Sequence, residues 1–445
     1  HFVHNSLFFG MHKITPFQVI ILGVFGVFLL FSVLIFSGII PLFKQAPTGV
    51  AGEITIWGAL PSSYFDGPLE RLNTKAQGIF GVKYIEKQPE FFDSELVEEL
   101  ASGRGPDVVL LPHDLILRHK DKVIPISYEE LSVRAFIDTF VEEGELYLGA
   151  EGVLAVPFSI DPLVMYVNRD MFSSASLSKV PTTWDEFFTL AGTFTKTDSA
   201  FNIKQSTIAL GEFRNILHAK EILALLIMQG GNPIVSIEGG KTVSILDKKG
   251  NLAVSPAESA VRFYTEFSNP AKSVYSWNRS LPSSKDMFLA GDLAVYFGFA
   301  SEFNDIRIKS PHLNFDVALV PQTKDVKAKT TYGNMTGFAV LKQSKNPTTA
   351  FYVASIMTDR DFIRDFAGVN FLPPVRRDLL AKVPGGAFES VFYSSALIAR
   401  AWLDPAPAQT FIIFSRLVEN VTSGRERLSE AITRASQDIG RLLPQ

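Results

Sequence analysis

VLAVPFSIDPLVMYVNRDMFSSASLSKVPTTWDEFF, residues 153–188, holds two apolar runs, a turn and a helix start. The first run ends in Val156-Pro157 and the second passes through Val164-Met165-Tyr166-Val167. An unbroken run of this kind suits a strand covered on both faces. Asn168 closes the second run, and its short amide can bond nearby backbone and begin a turn. Thr183, with Glu186 three residues on, predicts a capping box that satisfies orphan helix donors reciprocally. Trp184, inside that helix start, is expected to pack.

Outward from this segment the chain alternates strands and helices. Residues 53–58 (EITIWG) read as a first strand, 68–77 as a helix and 82–85 as a second strand. Residues 91–101 form an amphipathic helix, and the turn Gly103-Arg104-Gly105-Pro106 leads into a buried strand at 107–111. Strand and helix alternating at this spacing predict a parallel α/β layer. Further helices are expected at 216–229, at Ser255-Pro256-Ala257-Glu258, from Ser283, and over 347–357, 387–402 and 425–443. The start at Ser255 has an N-cap, a proline in the first position and an acid in the third. Strands are expected at 315–320 and 337–341.

Residues 14–43 contain no charge, and 18 of the 24 residues in 17–40 are Leu, Ile, Val or Phe. At 1.5 Å per residue, that stretch reaches about 36 Å, enough to span a bilayer with tilt. It exceeds the roughly 7–15-residue apolar core of a cleavable signal peptide. The expectation is an uncleaved transmembrane anchor, with 1–48 as tail and anchor and Met11 as the start. Gln45 to Gly52 would be a short linker.

The composition, 47% hydrophobic and 20% charged over 445 residues, is that of globular domains. A net charge of −4 gives no basic footprint for nucleic acid. Without Lys13 and Lys44 the remainder holds 40 basic against 46 acidic groups, a mild imbalance that argues solubility. Cysteine is absent, which excludes disulfides, thiolate metal sites, cysteine nucleophiles and lipidation at a cysteine. His113 and His119 are six apart, a poor spacing for one helical face, so no metal site is expected. No P-loop, GxSxG or strand-linked GxGxxG occurs. Glu142, Glu143 and Glu145 could pass for hydrolase carboxylates. Their polar turn predicts a solvated face instead.

The ordered set "VPF", "YVNRD" and "PTTWDE" resembles extracellular solute-binding proteins, the large family that includes the maltooligosaccharide binders. "EITIWG", "GPDVVLLPHD", "GDLAVYFGFASEFNDI", "TYGNMTGFAVLKQSKNPTTA" and the closing "NVTSGRERLSEAITRASQDIGRLL" extend the resemblance over about residues 52–443. It implies an α/β, two-lobe periplasmic-binding-protein-like (type II) fold with the ligand cleft between lobes, preceded here by one N-terminal transmembrane helix. One lobe would comprise 49–158 with about 321–371, the other about 159–320 with 372–445. The chain would cross between them near 156–161, 317–321 and 370–374.

The function implied is that of a non-enzymatic, membrane-tethered, extracytoplasmic binding protein of a bacterial ABC importer. It would capture a sugar or oligosaccharide, or another solute, for membrane permeases and need no cofactor. A ligand-sensing module for a receptor or kinase, and an exported hydrolase or adhesin on the same fold, are the competing readings. A sugar cleft needs aromatic faces for pyranose rings and polar groups converging on hydroxyls. Candidates are Trp57, Tyr64, Asp114, Asp161, Arg214, Asn215, His218, Trp277, Phe299, Glu302, Tyr332 and Trp402. Trp57 could instead be core, Asp114 could be a helix N-cap, Asp161 could brace the crossing, and Arg214–His218 could be a surface helix start. Maltose binders carry charged sugar contacts after the first strand, where this chain has Ala59-Leu60-Pro61-Ser62-Ser63. The resemblance therefore points away from maltose itself.

Overall fold

The computed structural model describes residues 49–444, apart from 325 and 327. The expected anchor at 17–40 lies outside the described residues. Among the described residues, no helix is long and apolar enough to cross a membrane.

The described residues form twelve strands: β1 (Gly52–Gly58), β2 (Phe80–Glu86), β3 (Val108–Pro112), β4 (Val156–Asn168), β5 (Lys196–Thr197), β6 (Ile203–Ile208), β7 (Val235–Glu238), β8 (Lys241–Ser244), β9 (Leu293–Phe299), β10 (Phe315–Ala318), β11 (Thr331–Val340) and β12 (Ala399–Arg400). Their order is β2-β1-β3-β11-β4-β9-β6-β5, with β10 also on β4, β12 also on β11, and β7–β8 a separate hairpin. β1 is parallel to β2 and β3, and β6 is parallel to β9. β11 is antiparallel to both β3 and β4.

The two runs expected at 153–167 are one strand. β4 pairs with β11 from Val156 to Pro162, then with β9 from Leu163 to Val167. Pro162, which has no N–H to give a ladder, stands where the partner changes, a position that tolerates proline. The first lobe lies around β2-β1-β3 and the second around β9-β6-β5. β4 runs through both.

The expected crossing at 317–321 falls elsewhere. Pro321 and Thr330 both accept from Gln229 Nε2, on the second-lobe helix Ala219–Gln229. The chain moves to first-lobe partners within β11, which meets β12 at Thr331 and β3 from Thr336. At the expected third crossing, Asn370 Oδ1 accepts from Leu372 N at 2.9 Å, and Pro374 bridges to Ser159.

Local chemistry explains the elements. Val108 to Leu111 are at most 1% exposed, as a strand covered on both faces requires. Each such side chain contributes roughly 1.5–3 kcal/mol through burial. Asn168 ends β4 as expected: its Oδ1 accepts from Asp170 N and Met171 N, both at 3.1 Å, capping the helix Arg169–Ser174. The box at Thr183 forms only in part. Glu186 Oε1 takes Thr182 N at 2.9 Å and Thr183 N at 2.8 Å, but it also takes both threonine hydroxyls. Thr183 Oγ1 thus serves the carboxylate rather than a helix amide, and the helix begins at Glu186. Trp184 packs as expected, donating to Gln229 Oε1 at 2.6 Å. The helices Arg360–Asn370 and Pro407–Thr422 had no counterpart in the sequence reading.

Candidate ligand cleft

The site begins at the midpoint of β4 and β11, where the strands change lobes. Asp161 is register partner to Asn334, and Ser159 to Thr336. Paired residues of antiparallel strands share a face, and Ser159 Oγ meets Thr336 Oγ1 at 2.9 Å. Asp161 is half-buried, and Asn334 is exposed in a strand that is otherwise largely buried. The Asn334 amide makes no hydrogen bond among the described residues. Sequence reasoning missed it, although an asparagine within TYGNMTGFAV was a visible signal.

The second lobe adds a corner where β9 turns into the helix Phe303–Lys309. Ser301 N donates to Asp161 Oδ1 at 2.9 Å. Glu302 is a hub: Oε1 accepts from Phe299 N at 2.9 Å and pairs with His218 Nε2 at 2.7 Å. Oε2 accepts from Tyr296 at 2.8 Å and Lys285 at 2.7 Å. Burial pushes this carboxyl up, but the His218 and Lys285 contacts outweigh it and hold the group at about 2. His218 stands in the left-handed region at φ 61°, with its ring edge-on to Phe299 at 4.7 Å.

Asp161 behaves differently. Burial is the largest influence and pushes its carboxyl up to about 7. The Ser301 bond and His218 pull it down, while Glu302 adds to the push. From the first lobe, Tyr64 comes close enough for Asp161 to raise its phenol, after burial as the larger cause. Tyr64 is set by its edge contact with Phe366 at 6.2 Å and by its neighbour Phe65, which stacks on Tyr84.

Asp114 is half-buried in the turn His113–Leu115 and caps no helix, so the N-cap alternative does not hold. Its carboxylate has no hydrogen bond among the described residues, but it acts electrostatically on His113, Tyr147 and Tyr332. His113 Nδ1 accepts from Met335 N at 3.2 Å, which leaves Nε2 protonated and facing Tyr332 Oη at 3.4 Å. Burial keeps this imidazole below its ordinary pKa.

The remaining candidates sit apart from this group. Arg214 is exposed and pairs with Glu419 at 2.8 Å. Asn215 braces the fold through Asn278 O and Leu281 O, and accepts from the fully buried Trp277 at 3.2 Å. Trp57 is buried beneath Lys87 Nζ, 3.7 Å from the ring. Trp402 is buried too, its Nε1 without a partner, near the Lys220–Asp404 pair at 2.6 Å. The structure therefore brings together Tyr64, Asp161, His218, Phe299 and Glu302, with Asp114 and Tyr332 as a second group. The polar edges of the Glu302 hub serve protein partners, and Tyr332 Oη meets His113. The unspent ones belong to Asp114 and Asn334, while Asp161 is held by both the backbone and the side chain of Ser301. Among the described residues, no cluster of histidine and carboxylate suits a metal ion.

The expectation of a solvated 142–145 turn fails at one residue. Glu143 is 1% exposed and neither carboxylate oxygen has a hydrogen-bond partner. Its turn, Glu142–Tyr147, packs against β11 and β12, which carries the side chain inward while Glu142 stays outside and pairs with Arg400.

Comparison with known proteins places the fold. Residues 70–387 match the family model of the bacterial extracellular solute-binding proteins. Proteins of Brucella abortus and Brucella suis described as binding proteins are 24% identical over 248 residues. That alignment takes in 55% of this chain, and the chain spans about half the length of these curated relatives (55%). A cyclo/maltodextrin-binding protein solved with maltotetraose superposes with a TM-score of 0.71 at 16% identity, over 89% of this chain and 98% of its own. The GacH receptor of Streptomyces glaucescens, solved with acarbose, gives 0.68 at 16%, over 88% and 98%. A solute-binding protein of Thermotoga lettingae bound to α-D-tagatose gives 0.66 at 17%, over 88% and 100%. The two-lobe mixed α/β architecture is shared with all three, and the chain belongs to the bacterial extracellular solute-binding protein family.

Proposed function

We propose that the protein captures a carbohydrate, or a comparably hydroxyl-rich solute, between its lobes and delivers it to the permeases of an ABC importer. The observation that carries this reading is the polarity at the lobe crossing: the unpaired Asn334 amide beside Asp161, with the unpaired Asp114 close to the same strand. Free carboxylate and amide oxygens accept from hydroxyls, and Asn334 can also donate. Tyr64 supplies an aromatic edge at the same place. The ligands of the structural relatives, maltotetraose, acarbose and tagatose, are in keeping with it. The lobes would close by adjusting a few residues where β4 and β11 change partners. The uncharged stretch at 14–43 would tether the protein, keeping it near its permeases.

The test is a thermal-shift panel on the full chain in detergent, using mono- and oligosaccharides, amino acids and polyamines. A ligand at 100 times its Kd stabilises by about 2.7 kcal/mol. A shift with saccharides alone is the expected result. Shifts confined to amino acids or polyamines would remove the carbohydrate assignment.

A further inference from the structure

Two carboxyl groups bracket β11 where it changes lobes, one on each face. Asp161 is partner to Asn334, and the carboxylate of Glu143 lies against Gly333, the preceding residue. A Cβ at Gly333 would overlap the Glu143 carboxylate, so the strand touches it directly. Ala399 of β12 closes the same spot. Glu143 thus sits in a seam between a first-lobe turn, the crossing strand and the second-lobe strand β12. Glu142 and Arg400 form an ion pair across the same seam.

A carboxylate cannot stay charged there without a donor. The charged and titratable groups coupled to it are Arg400 from β12, Tyr332 from β11 and Tyr147 from its own turn. Burial outweighs Arg400 and raises Glu143 to about 8. Asp161 is also raised, and it faces Ser301, Glu302, His218 and Tyr64.

The geometry points to Glu143 as a proton-operated catch on the lobe crossing: neutral, it stays seated against Gly333 and holds the lobes in this arrangement; ionised, it must reach water, which parts the seam and lets the lobes open. The direction follows from linkage. The seated form binds the proton more tightly than a glutamate in water, so its stabilisation is complete at low pH and is lost as pH rises through about 8. Asp161 contributes with the same sign, but its window closes near 7. The difference between wild type and a Glu143 variant that keeps Asp161 therefore reads Glu143 between pH 7 and 9. The inference rests on the capture reading only for the hinge motion and needs no ligand.

The experiment compares the full-length wild type and Glu143→Gln in detergent, ligand-free, by melting temperature and small-angle scattering between pH 7 and 9. For wild type, we expect a fall of about 2–4 °C and a larger radius of gyration, with Glu143→Gln keeping only the smaller fall due to Asp161 near pH 7 and no change in radius. A flat wild type, a Glu143→Gln protein that keeps the full slope, or a slope without a change in radius would each overturn the catch. Should the variant fail to fold, infrared spectra of wild type labelled with 13C-glutamate decide. A protonated glutamate band present at pH 7 and gone by pH 9 supports the inference, and its absence at pH 7 overturns it. Saccharide binding is measured in parallel. Intact binding with a flat pH profile refutes the catch alone; a retained pH profile with no saccharide binding refutes the carbohydrate reading alone.

Discussion

Glu302 and Glu143 are two glutamates withdrawn from water in opposite ways. Glu302 takes four donors, from Phe299 N, His218, Tyr296 and Lys285, and is held at about 2. Glu143 takes none and is pushed up to about 8. Burial acts upward on both, so hydrogen-bond supply decides which one is a charge and which a neutral acid. The charged one orders a corner of the cleft. The neutral one fills space behind the crossing strand.

The sharpest break of this contrast is Glu302→Ala. It strips His218 and Tyr296 of their acceptor and leaves Lys285 with Asp305 alone, and should cost about 3 kcal/mol by denaturant unfolding. If the loss stays within 1 kcal/mol, the hub is ornamental. The wild-type pH dependence sharpens the same point. Glu302's carboxyl is depressed, so its contribution is present above the ordinary value of 4.5 and disappears as pH falls through about 2. Acid unfolding of Glu302→Gln should therefore show a shallower slope between pH 4.5 and 2 than wild type.

Asp114 tests the unspent groups. Asp114→Ala removes no cap and no internal hydrogen bond, so melting should hold while saccharide affinity falls by roughly tenfold or more, about 1.5–3 kcal/mol. Calorimetric titration giving equal affinity would take Asp114 out of the cleft. The smallest effect belongs to Arg214→Ala. Its pairing with Glu419 is exposed, and about 0–1 kcal/mol is expected, with binding unchanged.

Much of the fold was legible because its signals are local. The strand at 107–111, the cap at Ser255 and the helix Pro347–Met357 all follow from runs, caps and prolines. The cap at Ser255 is made, its Oγ accepting from Glu258 N at 3.1 Å. The continuity of β4 was harder to read, because Pro162 looks like a break until its neighbours are known. Site residues divided along the same line. Asp161 could be named from its place beside the expected lobe crossing, and Glu302 from the resemblance. Glu143 could not, because a glutamate in an acidic turn reads as solvated unless the packing of β11 and β12 is seen. Asn334 hid within a strand of which it is the one exposed residue. The resemblance groups Arg214, Asn215 and His218, but the turn separates them: Arg214 faces outward, Asn215 inward and His218 toward Glu302.

Gly333 gives the seam a consequence for sequence variation. The space a side chain would need at 333 is already taken by the Glu143 carboxylate. The two positions share one volume, and what is tolerated at either depends on the other. Gly333→Ala alone should destabilise by about 1–3 kcal/mol through overpacking. Made together with Glu143→Ala, it should cost less than the sum of the single changes, a non-additivity measurable in a double-mutant cycle. Variants of this protein would then be free to exchange a glycine and an acid for two small side chains, and would lose their response to protons with them.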